Sequence, residues 1–242
     1  MGKVEVLLCP SEIVHINLQG KTAVVIDALR ATSTIATALS NGCRAVYPVR
    51  TEHEARVMVA ARPDLLLAGE RGGAMIPGFH LGNSPTECTE ELLSGREMVL
   101  TTSNGTPLLL ACAQAERVVT AAFINRAAVA DYCLQSENDT VIICAGQGGR
   151  VSFEDTLCAG ALVEYMDSTS AGLAMSDAAQ IARLAFLAQA DRLAEALLMS
   201  DAGQRLITLG YVADIAKCAA LDYLWVVPAF ANGKIQLEAQ MH

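Results

Sequence analysis

Two kinds of apolar patterning alternate along the chain. Short, largely apolar runs at Lys3 to Leu8, Val24 to Asp27, Ala45 to Val49, Leu65 to Ala68, Met98 to Thr102, Arg117 to Ala121 and Val141 to Cys144 read as strands, Val24 to Ile26 being unbroken. Continuous rather than alternating runs are what strands of a parallel sheet show when both faces are covered. Between them, apolar residues recur at helical spacing over Ala31 to Asn41, Pro107 to Ala115, Arg126 to Leu134 and Phe153 to Met166. Thr51-Glu52-His53-Glu54 reads as a capping box opening a helix that Pro63 stops. Ser84-Pro85-Thr86-Glu87 supplies an N-cap, a proline at the first helical position and an acid at the third, which predicts another helix start.

From Ser176 to Tyr223 the spacing is helical throughout, with interruptions near Asp201 and Gly203 and again at Gly210. Trp225 to Pro228 then reads as a last core strand and Lys234 to Leu237 as an edge strand. Strands alternating with helices predict an α/β fold: a mostly parallel sheet with helices on both faces, three layers α/β/α, with room for two intertwined subdomains. No linker or internal repeat divides residues 1–242, so one compact unit is expected, with its weakest point at 168–176.

Composition narrows the class. The 242 residues are 52% hydrophobic but only 5% aromatic, which suits tightly packed Ala-, Leu- and Val-rich helices on a sheet and an interface between like subunits. No apolar run approaches the roughly 18 residues needed to cross a bilayer, and the first residues lack the apolar core of a signal peptide. The expectation is a soluble cytoplasmic homo-oligomer with no membrane partner. None of the eight cysteines forms a Cys-x-x-Cys pair and most fall in apolar patterns, as buried thiols in a reducing compartment would. His15, His53, His80 and His242 show no metal-binding spacing.

A net charge of −9 argues against nucleic acid as partner, because phosphate backbones demand a basic surface. The cations are 13 arginines against four lysines, and Arg30, Arg71, Arg126 and Arg150 all fall in Gly- or hydroxyl-rich turns. Arginine's planar fork matches the paired oxygens of phosphate, carboxylate or sulfonate, which points to a small anionic substrate.

The candidate chemistry lies at the ends of the predicted strands. In Val24-Val25-Ile26-Asp27-Ala28-Leu29-Arg30-Ala31-Thr32-Ser33-Thr34, a strand runs into a lone carboxylate, then an arginine, then hydroxyls at a helix start. Open α/β sheets bind ligands at their carboxyl ends, and such a set suits a metal-bound phosphate; Asp27 as a simple helix cap is the competing reading. Gly69-Glu70-Arg71-Gly72-Gly73 places an acid and an arginine in a flexible turn, either a ligand site or a surface ion pair. Gly82-Asn83-Ser84 leaves Asn83 unexplained by capping. Thr101-Thr102-Ser103-Asn104-Gly105-Thr106 carries more polar groups than a cap needs and favours an anion nest, without the Gly-Lys-Ser/Thr core of a nucleotide-binding P-loop. Ala145-Gly146-Gln147-Gly148-Gly149-Arg150 precedes Ser152-Phe153-Glu154-Asp155, where the two acids either complete a capping box or bind Mg²⁺. A dinucleotide fingerprint is not met, since Val151 stands at the third glycine position.

These segments together, with Leu209-Gly210-Tyr211-Val212-Ala213-Asp214-Ile215 and Val226-Val227-Pro228, resemble the 2-phosphosulfolactate phosphatase family in order and over nearly the whole chain. The resemblance implies a Mg²⁺-dependent hydrolysis of (2R)-2-phospho-3-sulfolactate to 3-sulfolactate and phosphate, a step toward coenzyme M in organisms that make it. On that reading Asp27, Glu154 and Asp155 hold Mg²⁺, while Asp27, Glu70 and Arg30 are catalytic. Arg71, Thr32, Ser33, Asn83, Ser84, Thr102, Ser103, Asn104, Gly105, Thr106 and Asn125 are then the substrate-binding candidates. The alternatives are a phosphatase for another small phosphorylated hydroxy acid and a non-catalytic protein that binds an anionic metabolite.

Overall fold

The computed structural model describes residues 2–136, 138–170 and 172–238. His242 lies outside the described residues, as does Ala171 within the expected boundary at 168–176. The order is β1 (Val4–Leu7), β2 (Thr22–Ile26), α1 (Ala31–Ser40), β3 (Ala45–Pro48), α2 (Glu52–Ala61), β4 (Leu66–Arg71), β5 (Ala74–Met75), α3 (Glu90–Leu93), β6 (Glu97–Thr101) and α4 (Gly105–Ala111). It continues with β7 (Arg117–Ala121), α5 (Arg126–Gln135), β8 (Thr140–Cys144), α6 (Phe153–Thr169), α7 (Asp177–Leu187), α8 (Leu193–Met199), α9 (Asp201–Thr208), α10 (Val212–Cys218), β9 (Pro228–Ala231) and β10 (Lys234–Leu237).

The strands form one mixed sheet in the order β1-β8-β2-β7-β9-β10-β3-β6-β4-β5. β1, β8, β2 and β7 run parallel to one another, as do β3, β6 and β4. The hairpin β9–β10 joins these two parallel sets through antiparallel pairings to β7 and β3. The α/β expectation therefore holds.

Each apolar strand serves two cores. In β2, Val24 and Ile26 pack into a cluster shared with α5, α6 and the C-terminal helices, while Ala23 and Val25 point the other way, into a cluster with α1 and α4. That second cluster also takes Val46, Leu66, Met98 and Leu100 from the other parallel set, so α1 and α4 are packed between both. α2 covers the remaining face, over Leu65, Leu67 and Val99. Helices thus lie on both faces of the sheet, which is why the strand runs are largely apolar in sequence.

Four local expectations change. Residues 85–87 form a turn rather than a helix start, and the helix begins at Glu90 with the Thr89 hydroxyl accepting from Leu92 N. Ser84 is drawn off instead to a carboxylate of α10, and Glu87 accepts from Gly82 N. The last core strand starts at Pro228, not Trp225; Trp225 is 59% exposed, and Leu224 and Val226 pack beside Ile124. β10 is interior, not an edge, because a strand's neighbours are set by sheet order rather than by its place in the chain. Finally, the helical stretch after Ser176 is also broken at residues 188–192. Its break near Asp201 is where the Ser200 side chain caps α9 by accepting from Gly203 N.

Candidate active site

Asp27 follows the last residue of β2 and is held by the turn into α1. Its carbonyl accepts from Thr32 N and from the Thr32 hydroxyl, and its own N–H is given to Thr32 Oγ1. The Ser33 hydroxyl is likewise given to Ala28 O. These hydroxyls therefore build the turn instead of facing a ligand. Oδ1 of Asp27 accepts from Ala31 N at 3.3 Å, at the start of α1. The helix start of α4 closes on the same carboxylate, because a Cβ on Gly105 would lie 2.6 Å from Asp27 Oδ2. Only glycine permits that approach.

Three further carboxylates surround Asp27 in one pocket: Glu70 from the end of β4, and Glu154 and Asp155 from the first turn of α6. All four are at least nine-tenths buried. Burial, then the Glu70 charge, pushes the Asp27 carboxyl up to about 7. Burial, then the charges of Glu154 and Asp27, holds Asp155 well above the usual carboxylate range, and burial raises Glu154 as well. Buried like charges disfavour simultaneous ionisation and leave the pocket short of positive charge.

The four acids have different partners. Asp155 accepts from Ala28 N at 2.8 Å and Gly146 N at 2.9 Å, so it ties the β2 and β8 loops together. Among the described residues the Ser152 hydroxyl makes no hydrogen bond to the start of α6, so the capping-box reading of Ser152 and Asp155 is not what the structure shows. Glu70 accepts from Ser103 N at 2.7 Å and Gly73 N at 2.6 Å, stapling the β4–β5 turn to the β6–α4 loop. Thr102 and Thr106 satisfy each other's backbone N–H groups, so the expected anion nest is partly filled from within. Asn104 lines the pocket and its side-chain oxygen accepts from Gly148 N across it. Asp27 and Glu154 keep the most carboxylate oxygen uncommitted.

Arg30 also lines the pocket, but its guanidinium is already committed. It donates to Asp214 Oδ2 at 2.7 Å and to Gly73 O at 2.6 Å, with its carbon 4.4 Å from the centre of the Tyr211 ring. Asp214 on α10 further accepts from the Ser84 and Thr86 hydroxyls at 2.6 and 2.8 Å. Arg71 points away, to Glu70 O and Thr101 Oγ1, and is outside the pocket lining. Asn125 is also outside it, fully buried and spent on Ala122 N, Thr120 O and Val226 O. Asn83 is in the lining, and its buried side-chain oxygen has no hydrogen-bond partner among the described residues.

Among the described residues, no three His, Cys, Asp or Glu side chains converge as a closed metal cage. Mg²⁺ does not require one: it usually keeps several waters and is held by one or two carboxylates together with substrate phosphate. Asp27 and Glu154, with the unpartnered Asn83 oxygen nearby in the same lining, fit that kind of site.

The profile of a family described as 2-phosphosulpholactate phosphatase matches residues 7–233. The chain belongs to the 2-phosphosulfolactate phosphatase family. Among its relatives are proteins named probable 2-phosphosulfolactate phosphatase from Symbiobacterium thermophilum, 43% identical over 91% of this chain and 95% of the relative, and Thermotoga maritima, 43% identical over 88% and 90%. A third from Gloeobacter violaceus, with the same name, is 44% identical over 85% and 86%.

Two pocket residues of this family member escaped the sequence reading. Arg205 of α9 and Gln147 of the β8–α6 loop meet at the pocket wall, where the Gln147 amide oxygen, turned to face it, accepts from the Arg205 guanidinium. An arginine on the polar side of a helical pattern carries no sequence mark of function. Asp214 was visible only as part of a C-terminal motif; a lone acid in a helical pattern says nothing of a partner 184 residues away.

Proposed function

We propose that this protein is a metal-assisted phosphomonoesterase that hydrolyses (2R)-2-phospho-3-sulfolactate to 3-sulfolactate and phosphate. The observation that carries this reading is the meeting of four buried carboxylates from three separate segments at one pocket in a chain of this family. A pocket with that much acid takes a polyanionic phosphoester only if a cation intervenes, and Mg²⁺ would supply neutralisation of the phosphoryl oxygens. Asp27 and Glu154 would hold it. Asp155 fixes the β2 loop that presents Asp27, Glu70 holds the β6–α4 loop against the β4–β5 turn, and the helix starts at Ala31 and Gly105 add positive field where the phosphoryl would sit.

The test is phosphate release from synthetic 2-phospho-3-sulfolactate. Turnover is expected with Mg²⁺, is silenced by EDTA and returns on adding Mg²⁺; Asp27→Asn abolishes it while the circular dichroism spectrum stays native. Full activity in EDTA removes the cation from the mechanism, and near-normal turnover by Asp27→Asn removes Asp27. A broad phosphoester panel separates this substrate from other phosphorylated hydroxy acids. Ligand-induced stabilisation without any phosphate release would favour a binding protein instead.

A further inference from the structure

The pocket holds four carboxylates and two arginines, Arg30 and Arg205. Arg30 is neutralised by Asp214 and Arg71 lies outside the lining. Among the described residues no carboxylate lies within ion-pair distance of Arg205, which is therefore the arginine of the pocket not held in an ion pair.

Its position is also prepared. α9 sits directly on the end of α8, since a Cβ on Gly203 would lie 2.0 Å from Leu197 O, and Leu206 anchors the helix in the core. The Arg205 stem runs over the β4–β5 turn, with its Cδ 3.6 Å from where a Gly73 Cβ would be, and its guanidinium meets Gln147. Gln147 is in turn fixed by paired backbone hydrogen bonds to Arg150. A second cavity, lined by Arg150, Phe153 and Met199, shares Gln147, Glu154 and Arg205 with the pocket, so Arg205 stands at the junction of the two.

We infer that Arg205, oriented by Gln147, receives a non-transferred oxyanion of the substrate and so selects phosphoesters that carry a second acidic group. This rests on the phosphatase reading for the identity of the ligand. A guanidinium fork matches the paired oxygens of a sulfonate or a carboxylate, and a charge-assisted hydrogen bond there gives selectivity without touching the phosphoryl group.

The test is calorimetric titration, in Mg²⁺ buffer, of 3-sulfolactate, isethionate (sulfonate only) and lactate (carboxylate only) into the wild type and Arg205→Ala. Arg205 is exposed, so truncation is expected to leave the fold intact. Loss of roughly ten- to hundredfold in sulfolactate affinity is expected, the worth of one charged hydrogen bond, with partial recovery in Arg205→Lys. A loss shared with isethionate but not lactate assigns the group as the sulfonate, and the reverse assigns the carboxylate. Unchanged sulfolactate affinity in Arg205→Ala, or no sulfolactate binding by the wild type, overturns the inference. Turnover of 2-phospho-3-sulfolactate, measured alongside, reports separately on the function. Arg205-dependent binding without turnover sinks the catalytic reading and keeps this subsite, while turnover insensitive to Arg205 does the opposite.

Discussion

The Arg30–Asp214 pair offers the sharpest energetic test of how the C-terminal helices hold the pocket. Both side chains are buried, at 2% and 1% exposure, and their closest oxygen and nitrogen are 2.7 Å apart. Asp214→Ala strands a guanidinium that keeps, among the described residues, only Gly73 O and the Tyr211 ring as partners, and it removes the acceptor of the Ser84 and Thr86 hydroxyls. Removing one member of a buried pair costs about 3–5 kcal/mol, because the remaining charge is neither solvated nor compensated. For a chain of this size that corresponds to a fall in Tm of about 6–20 °C. Urea unfolding of Asp214→Ala, Arg30→Met and the double variant gives the coupling directly. The double variant is expected to be less destabilised than the sum of the singles, since no charge is left buried. A cost under about 1 kcal/mol for Asp214→Ala, or strict additivity, would refute the claim that this pair pins the helices to the β2 loop.

Two further outcomes follow from the geometry around Asp27. Gly105→Ala places a methyl 2.6 Å from Asp27 Oδ2 and 2.8 Å from the Ala31 Cβ, so turnover should fall at least tenfold while the fold persists; wild-type kcat/KM would show that the close approach is unimportant. The raised Asp27 pKa also makes stability depend on pH. Its folded value of about 7 lies above the ordinary 3.8, so the protonated folded state is favoured: the contribution is fully present below pH 3.8 and is lost as pH rises through about 7. Urea unfolding in EDTA should therefore weaken between pH 5 and pH 8, and Asp27→Asn should flatten that slope; an unchanged slope in the variant would assign it elsewhere.

Local chemistry made much of this protein legible in one dimension. Periodicity located most of the strands and helices, because burial on both faces of a parallel sheet writes itself as largely apolar runs. The polar and Gly-rich stretches between strands and helices also marked the segments that carry Asp27, Glu70, Asn83, Asn104, Glu154 and Asp155, since they hold more acids and amides than turns and caps need. Where a side chain had a distant competitor, local rules failed. Ser84 read as a helix cap but serves Asp214, the capping-box alternative for Ser152 is not formed among the described residues, and Asn125 read as a ligand group but is consumed by backbone.

The tertiary structure decided the rest. It placed the C-terminal hairpin in the middle of the sheet, packed α1 and α4 between the two parallel sets, and so brought the ends of β2, β4, β6 and β8 to one pocket. It also settled which charges remain available there. Arg30 is paired with a carboxylate 184 positions along the chain, and Arg205 has no ion-pair partner among the described residues. A residue's type and its neighbours in sequence set what its side chain can bond to. Which of those bonds form depends on what packing delivers within about 3 Å, and for buried charges that partner comes from anywhere in the chain.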